Sequence, residues 1–101
     1  MAIAEVIVVP LGTKTASLSK YVAQAIEVLQ QEKDIKYELT GMGTIIEGDL
    51  DKILTVVKKM HEVTFGEGVV RVSTTVRIDD RRDKASSTAS KLESVAKHLE
   101  H

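Results

Sequence analysis

The stretch Tyr37 to Gly48, YELTGMGTIIEG, sets the hydroxyl of Thr44 and the carboxylate of Glu47 beside a Gly41-Met42-Gly43 turn whose backbone is nearly bare. A hydroxyl donates and accepts, a carboxylate accepts, and methionine supplies an adaptable apolar contact, which together could hold a small polar ring. Strict strand alternation sends Thr44 and Glu47 to opposite faces. One pocket then uses both only through a twist, a bulge or a second subunit.

Other groups could do chemistry elsewhere. The loop Pro10-Leu11-Gly12-Thr13-Lys14-Thr15 runs toward a helix start, where free N–H groups with Thr13, Thr15, Ser17 or Ser19 could hold an anion or a ring nitrogen. It lacks the Gly-Lys-Ser/Thr spacing of a P-loop, and capping alone accounts for Ser17. Tyr21, one turn later, reads as a core residue whose hydroxyl can meet a ligand. Asp79-Asp80-Arg81-Arg82-Asp83-Lys84 alternates in sign, which excludes a polybasic patch and reads as a self-paired turn; its functional reading is that Arg82 or Arg81 reaches a ligand anion. Arg71, Ser73, Thr75 and Arg77 form either an anion-binding stripe or an interfacial sheet face whose arginines pair with Glu5, Glu38 or Glu47. His61, near the end of a helix, reads as solvated or facing the helix dipole. No Ser-His-Asp order, acid–base carboxylate pair or metal cluster stands out, so no catalytic residue, metal ligand or cofactor site is assigned.

These groups must be positioned by seven regular elements. Ile3 to Val9 is an Ile/Val run stopped by Pro10 and Gly12, and reads as a central strand buried on both faces. Ser17 opens a helix with Leu18, Tyr21, Val22, Ala25, Ile26 and Leu29 at helical spacing. Ile35 to Leu39 and Thr44 to Glu47 form a hairpin, after which Asp49 caps a helix carrying Leu50, Ile53, Leu54, Val57 and Met60. Beyond Gly66-Glu67-Gly68, Val70, Val72, Thr74, Val76 and Ile78 alternate with polar residues as a last strand. A third helix with Leu92, Val95, Ala96 and Leu99 packs at the domain edge or on a partner chain. The order β-α-β-β-α-β with a terminal helix predicts an α+β, ferredoxin-like sandwich with a four-stranded antiparallel sheet and two helices on one face. The other face needs cover, and we expect a homo-oligomer, dimer or tetramer, with sheets packed face to face.

The chain has 101 residues, 43% hydrophobic and 29% charged, with a formal net charge of −1. That is one domain by size, taken as residues 1–98, and it carries no global pull toward nucleic acid or anionic lipid. Leu99-Glu100-His101 is how a vector-encoded polyhistidine tail begins, so His101 is left out of any site. With no cysteine there is no disulfide framework or thiolate metal site, and a soluble, cytoplasmic protein is the simplest expectation. The apolar start lacks a basic region, contains Glu5 and is too short to span a membrane. RNA-recognition modules of this fold need exposed aromatics on the central strands, and these strands have none. An acylphosphatase-like site pairs arginine with asparagine, a residue this chain lacks altogether.

Three separated segments, VIVVPLGTKTASLSKYVA, YELTGMGTIIEGDLD and RVSTTVRIDDRRDK, together resemble the thiamine-binding, YkoF-like family in its single-domain form, an uncharacterised family of small ferredoxin-like proteins. The resemblance spans nearly the whole chain and implies assembly into dimers and tetramers through the sheets. In some members it implies binding of thiamine or its hydroxymethylpyrimidine part. Here Gly41 precedes Met42 where other members can carry proline. An aminopyrimidine wants an acceptor for its amino group, a donor for its ring nitrogen and an apolar wall, and Glu47, Thr44, the Gly43 backbone and Met42 offer that set. A thiazolium would favour Glu47 or the face of Tyr21. The expected ligand-binding residues are therefore Thr13, Ser17, Ser19, Tyr21, Met42, Gly43, Thr44, Glu47 and Arg82. The competing reading is a regulatory homo-oligomer that binds a small anionic metabolite between subunits, with Arg82 as its anion contact. An enzyme acting on thiamine precursors ranks last, for want of a nucleophile.

Overall fold

The computed structural model describes residues 1–13, 19–66, 68–83 and 88–99, with the side chains of Thr88 and Ser90 left aside. Its elements are β1 (Ala2–Pro10), α1 (Ser19–Gln30), β2 (Lys36–Thr40), β3 (Gly43–Gly48), α2 (Leu50–Val63), β4 (Val72–Asp80) and α3 (Thr88–Leu99). The four strands form one antiparallel sheet in the order β2-β3-β1-β4. This is the ferredoxin-like β-α-β-β-α-β sandwich with a C-terminal helix that the hydrophobic pattern predicts. The expected cap Ser17 and the glycine-turn residue Glu67 lie outside the described residues. No helix among the described residues is long and apolar enough to cross a membrane.

Register decides which side chains share a face. Ala4 sits opposite Ile46 on β3 and Ile78 on β4, and Val6 opposite Thr44 and Val76. The even-numbered residues of β1, β3 and β4 therefore face the helices. Ile3, Glu5 and Ile7 of β1, Ile45 and Glu47 of β3, and Thr75 and Arg77 of β4 face the opposite, open side. On β2, Tyr37 and Leu39 fall on the helix side, across from Ile46 and Thr44. The core between sheet and helices is built from Ala2, Ala4, Val6 and Ile46 beneath Ala25, Leu29, Ile53, Val56 and Met60. The alanines of β1 leave room for the larger residues of α2.

Several boundaries differ from the sequence-based expectation. In this chain β1 is buried on its helix side, while Ile3, Glu5 and Ile7 on the other face stay partly exposed. On α2, Val56 is buried and Leu54 is 47% exposed. The sheet meets the arc 53-56-57-60, and residue 54 falls one step outside it. Asp49 occupies the N-cap with an extended backbone, but its side chain makes no capping hydrogen bond. Its carbonyl instead accepts the Ile53 N–H at 2.9 Å, while the carboxylates of Asp49 and Asp51 still oppose the helix dipole. β4 begins at Val72, leaving Val70 87% exposed, and it runs on through Asp79 and Asp80. Both aspartates pair with β1, opposite Ile3 and Ala2, so the charged turn starts later than its composition suggests.

His61 is half-buried rather than solvated. Its Nδ1 lies 2.6 Å from Thr74 Oγ1, and its ring meets Phe65 edge-on at 5.3 Å. This hydrogen bond ties the last turn of α2 to β4. Near the start of α2 Lys52 bonds Asp34 at 2.7 Å, and in its second half Lys59 bonds Glu32 at 3.0 Å, linking the helix to the segment between α1 and β2. The Asp34 carboxyl is held below its ordinary value by the Lys52 hydrogen bond and charge. The ammonium of Lys52 is raised in turn, first by the same bond. Helix α3 leans on the body through Lys91 and Asp79, with Leu92, Val95 and Leu99 all more than half exposed.

Candidate functional site

A cavity of about 270 Å³ opens between the β2–β3 hairpin, the last half of β1 and the first turns of α1. Its floor is apolar, from Val6 and Val8 on the sheet, Ala25 on α1 and Met60 on α2. Tyr21 and Val22 form one wall, and the hairpin, through Leu39 to Thr44, forms the other. The hairpin can stand there because Thr40 closes its own turn. Thr40 Oγ1 accepts the Met42 N–H at 3.2 Å and donates to the Gly43 carbonyl at 2.8 Å. Glycine at 43 lets the hairpin lie against β1, since a Cβ there would come within 3.0 Å of the Val6 carbonyl oxygen and 3.1 Å of the Ile7 side chain.

Two polar groups enter this apolar space. Thr44, 6% exposed, and the half-buried Tyr21 both line the cavity, and neither hydroxyl is committed to a hydrogen bond with another described residue. Among the described residues no buried side-chain nitrogen or oxygen is left without a partner. The uncommitted Thr44 hydroxyl is therefore open to the cavity rather than sealed in the core. Each hydroxyl can donate or accept, so the pair suits a ring that carries both kinds of polar atom. None of the described lining residues is Asp, Glu, Lys, Arg or His. Met42, 80% exposed, stands at the rim.

Four of the residues singled out from the sequence, Tyr21, Met42, Gly43 and Thr44, are thus brought together. The others lie apart. Glu47 faces the open side of the sheet, in a shallow depression with Lys36, Glu38 and Leu92, as alternation along β3 requires. Thr13 is half-buried in the loop after β1 and already has a partner. Ser19, the exposed first residue of α1, lines a neighbouring groove that shares Val22 and Leu39 with the cavity. Arg82 is turned back on Asp80 by hydrogen bonds of 3.1 and 2.9 Å, and Arg81 on Asp83 by bonds of 2.6 and 3.0 Å. These bonds raise both guanidinium groups above their ordinary value. On the open face, Arg77 lies 3.4 Å from Glu5, the cross-strand pairing expected of an interfacial sheet face. Sequence reasoning missed Leu39, Thr40 and the floor residues. Only the position of Thr40 opposite Gly43 could have flagged one of them. Among the described residues no group of three His, Asp or Glu could hold a metal ion.

Fold and cavity define a class: a small ferredoxin-like α+β protein with a ring-sized pocket under its β2–β3 hairpin whose described lining carries no charged side chain. The comparisons place it more narrowly. Residues 4–96 match the model of the thiamine-binding protein family, and the chain belongs to that family. It is 50% identical to UPF0045 protein YqgV of Bacillus subtilis, covering 99% of both chains. It is 46% identical to a UPF0045 protein of Methanothermobacter thermautotrophicus, covering 98% of this chain and all of the other. The crystal structure of hypothetical protein MJ1052 from Methanocaldococcus jannaschii superposes with a TM-score of 0.85 at 44% identity, over 94% of this chain and 95% of that one. A Thermotoga maritima protein named for thiamine biosynthesis or salvage shares the fold, with a TM-score of 0.75 at 21% identity over 93% of this chain and 97% of that one.

Proposed function

We propose that this protein binds thiamine, its hydroxymethylpyrimidine moiety or a related small heterocycle without transforming it, and serves as a cytoplasmic, oligomeric carrier or sensor. The observation that carries this reading is the cavity under the hairpin, where two uncommitted hydroxyls project into apolar walls in a chain of the thiamine-binding family. Thr44 and Tyr21 hydrogen-bond the polar atoms of the ring, the Gly43 backbone gives close approach, and Met42 covers one edge. Glu47, on the other side of the sheet, belongs in this reading to the contact between subunits.

That contact uses the open face, where Ile3, Ile7 and Ile45 are only partly covered and Glu5 pairs with Arg77. Pairing two such faces makes a homodimer or homotetramer and removes this apolar surface from water. Calorimetric titration with thiamine and with hydroxymethylpyrimidine tests the reading. Saturable binding that weakens in Thr44→Val supports it, and no heat with either compound counts against it. Sedimentation velocity on Ile45→Glu tests the assembly. A shift toward monomer supports the open-face contact, and an unchanged species removes it.

A further inference from the structure

We infer that the free edge of β4 pairs antiparallel with the same edge of a second copy of this chain, about a two-fold axis at Thr75, joining the two sheets into one. This contact is separate from the open-face packing proposed above and does not depend on the ligand reading.

The edge itself is the first argument. β4 is nine residues long, lies at the margin of the sheet and pairs only with β1 among the described strands. Its register with β1 runs unbroken from Asp80 opposite Ala2 to Val72 opposite Pro10, so no bulge bends it away, and it contains neither proline nor lysine. Those are devices by which proteins keep an edge strand from pairing. The other margin is blunter, for β2 has five residues and begins at Lys36. Which backbone groups of β4 point outward follows from its pairing with β1. The Arg71 carbonyl accepts the Leu11 N–H at 2.9 Å, and Val72 faces Pro10, which has no N–H to give. Odd-numbered residues thus direct N–H and C=O at β1, while Val72, Thr74, Val76 and Ile78 direct theirs away from the sheet.

Self-complementarity is the second. With Thr75 opposite its own copy, Val72 faces Ile78 and Thr74 faces Val76, and the outward N–H and C=O groups of each pair exchange hydrogen bonds. Ile78, 40% exposed on the helix side, gains an apolar neighbour. On the open face Ser73 meets Arg77, and the exposed Arg71 meets Asp79, each pair occurring twice by symmetry. The neighbouring registers that keep the hydrogen-bond pattern are worse. An axis at Thr74 sets Arg71 against Arg77, and an axis at Val76 sets Arg71 against Arg81 and Val72 against Asp80. Like charges directly opposite each other are destabilising, whereas opposite charges and β-branched pairs stabilise. The axis at Thr75 runs through the sheet, so the helices of both copies stay on one side and their open faces become one surface.

The chain has no cysteine, so single cysteines can report the register. Thr75 and its copy form a non-hydrogen-bonded pair with Cα atoms about 4.5 Å apart, within reach of a disulfide. Ser73 and its copy are offset by roughly 13 Å along the strands. Both Thr75→Cys and Ser73→Cys are made in the full chain carrying Ile45→Glu, which disfavours open-face packing as a source of cross-links. Under mild oxidation Thr75→Cys should close a disulfide dimer at least about tenfold faster than Ser73→Cys. Equal rates would overturn the inference and leave the open-face and ligand readings untouched. Arg71→Asp, at an exposed position, checks the charge pairing. In the same Ile45→Glu background it sets carboxylate against carboxylate at both ends of the contact. Sedimentation should then read a dimer about tenfold weaker at low salt, the difference shrinking as salt is added. A dissociation constant unchanged by Arg71→Asp would contradict the pairing of Arg71 with Asp79.

Discussion

Thr44 and Glu47, three residues apart on β3, face opposite sides of the sheet: Thr44 is buried at the cavity under the hairpin, and Glu47 lies on the open face beside Lys36 and Glu38. This separation puts the two polar groups on different faces, which the proposed reading assigns to ligand binding and to assembly. Replacing each should therefore give a different result. Tyr21→Phe and Thr44→Val should each weaken ligand binding by about two- to tenfold, the loss of one ordinary hydrogen bond. Glu47→Gln should leave affinity unchanged. Calorimetry on the three variants checks this, and a weakened Glu47→Gln protein would return the carboxylate to the site.

Gly43 supports the same cavity from behind. Its hydrogens fill the space where a Cβ would stand 3.0 Å from the Val6 carbonyl and 3.1 Å from Ile7. The first of these is backbone and cannot swing away. Gly43→Ala should push the hairpin off β1 and cost about 1–3 kcal/mol, read as a lower urea midpoint, with ligand affinity falling in parallel.

The bond between His61 and Thr74 joins α2 to β4 through side chains. Thr74→Val keeps the shape and removes the partner of a half-buried imidazole. A loss of about 1–3 kcal/mol in urea denaturation is expected, with ligand binding unaffected because neither residue lines the cavity.

The Asp34 carboxyl is held below its ordinary value by Lys52, so between the folded and unfolded values the unfolded chain binds more protons. The contribution of the pair is thus present above the ordinary carboxylate range and fades as the pH falls through the depressed value. Lys52→Met should return the Asp34 titration, followed by carbon-detected NMR, to that of a free carboxylate. Because both groups are exposed, overall stability should change little.

How far the sequence reaches is shown by particular residues. The apolar run Ile3 to Val9, alternation in VSTTVRI and helical spacing in the two central helices suffice for the β-α-β-β-α-β order, because run length, period 2 and period 3.6 are local properties. The same alternation separates Thr44 from Glu47 before any coordinates are considered. The burial of Val56 instead of Leu54 depends on how α2 is rotated over the sheet, which helical spacing alone does not determine. The cavity is harder still to foresee. Val6, Ala25, Thr44 and Met60 come from four elements, and each reads locally as an ordinary core or strand residue.

The central claim is that a heterocycle sits beneath the hairpin. It is tested most directly by following backbone amide and methyl resonances of the isotope-labelled protein during titration with hydroxymethylpyrimidine. The account predicts saturable shifts concentrated at Tyr21, Met42, Gly43, Thr44 and the Met60 methyl, with Glu47 and Arg82 still. Shifts gathered at Glu38, Glu47 and Leu92 on the open face, or none at saturating ligand, would contradict it.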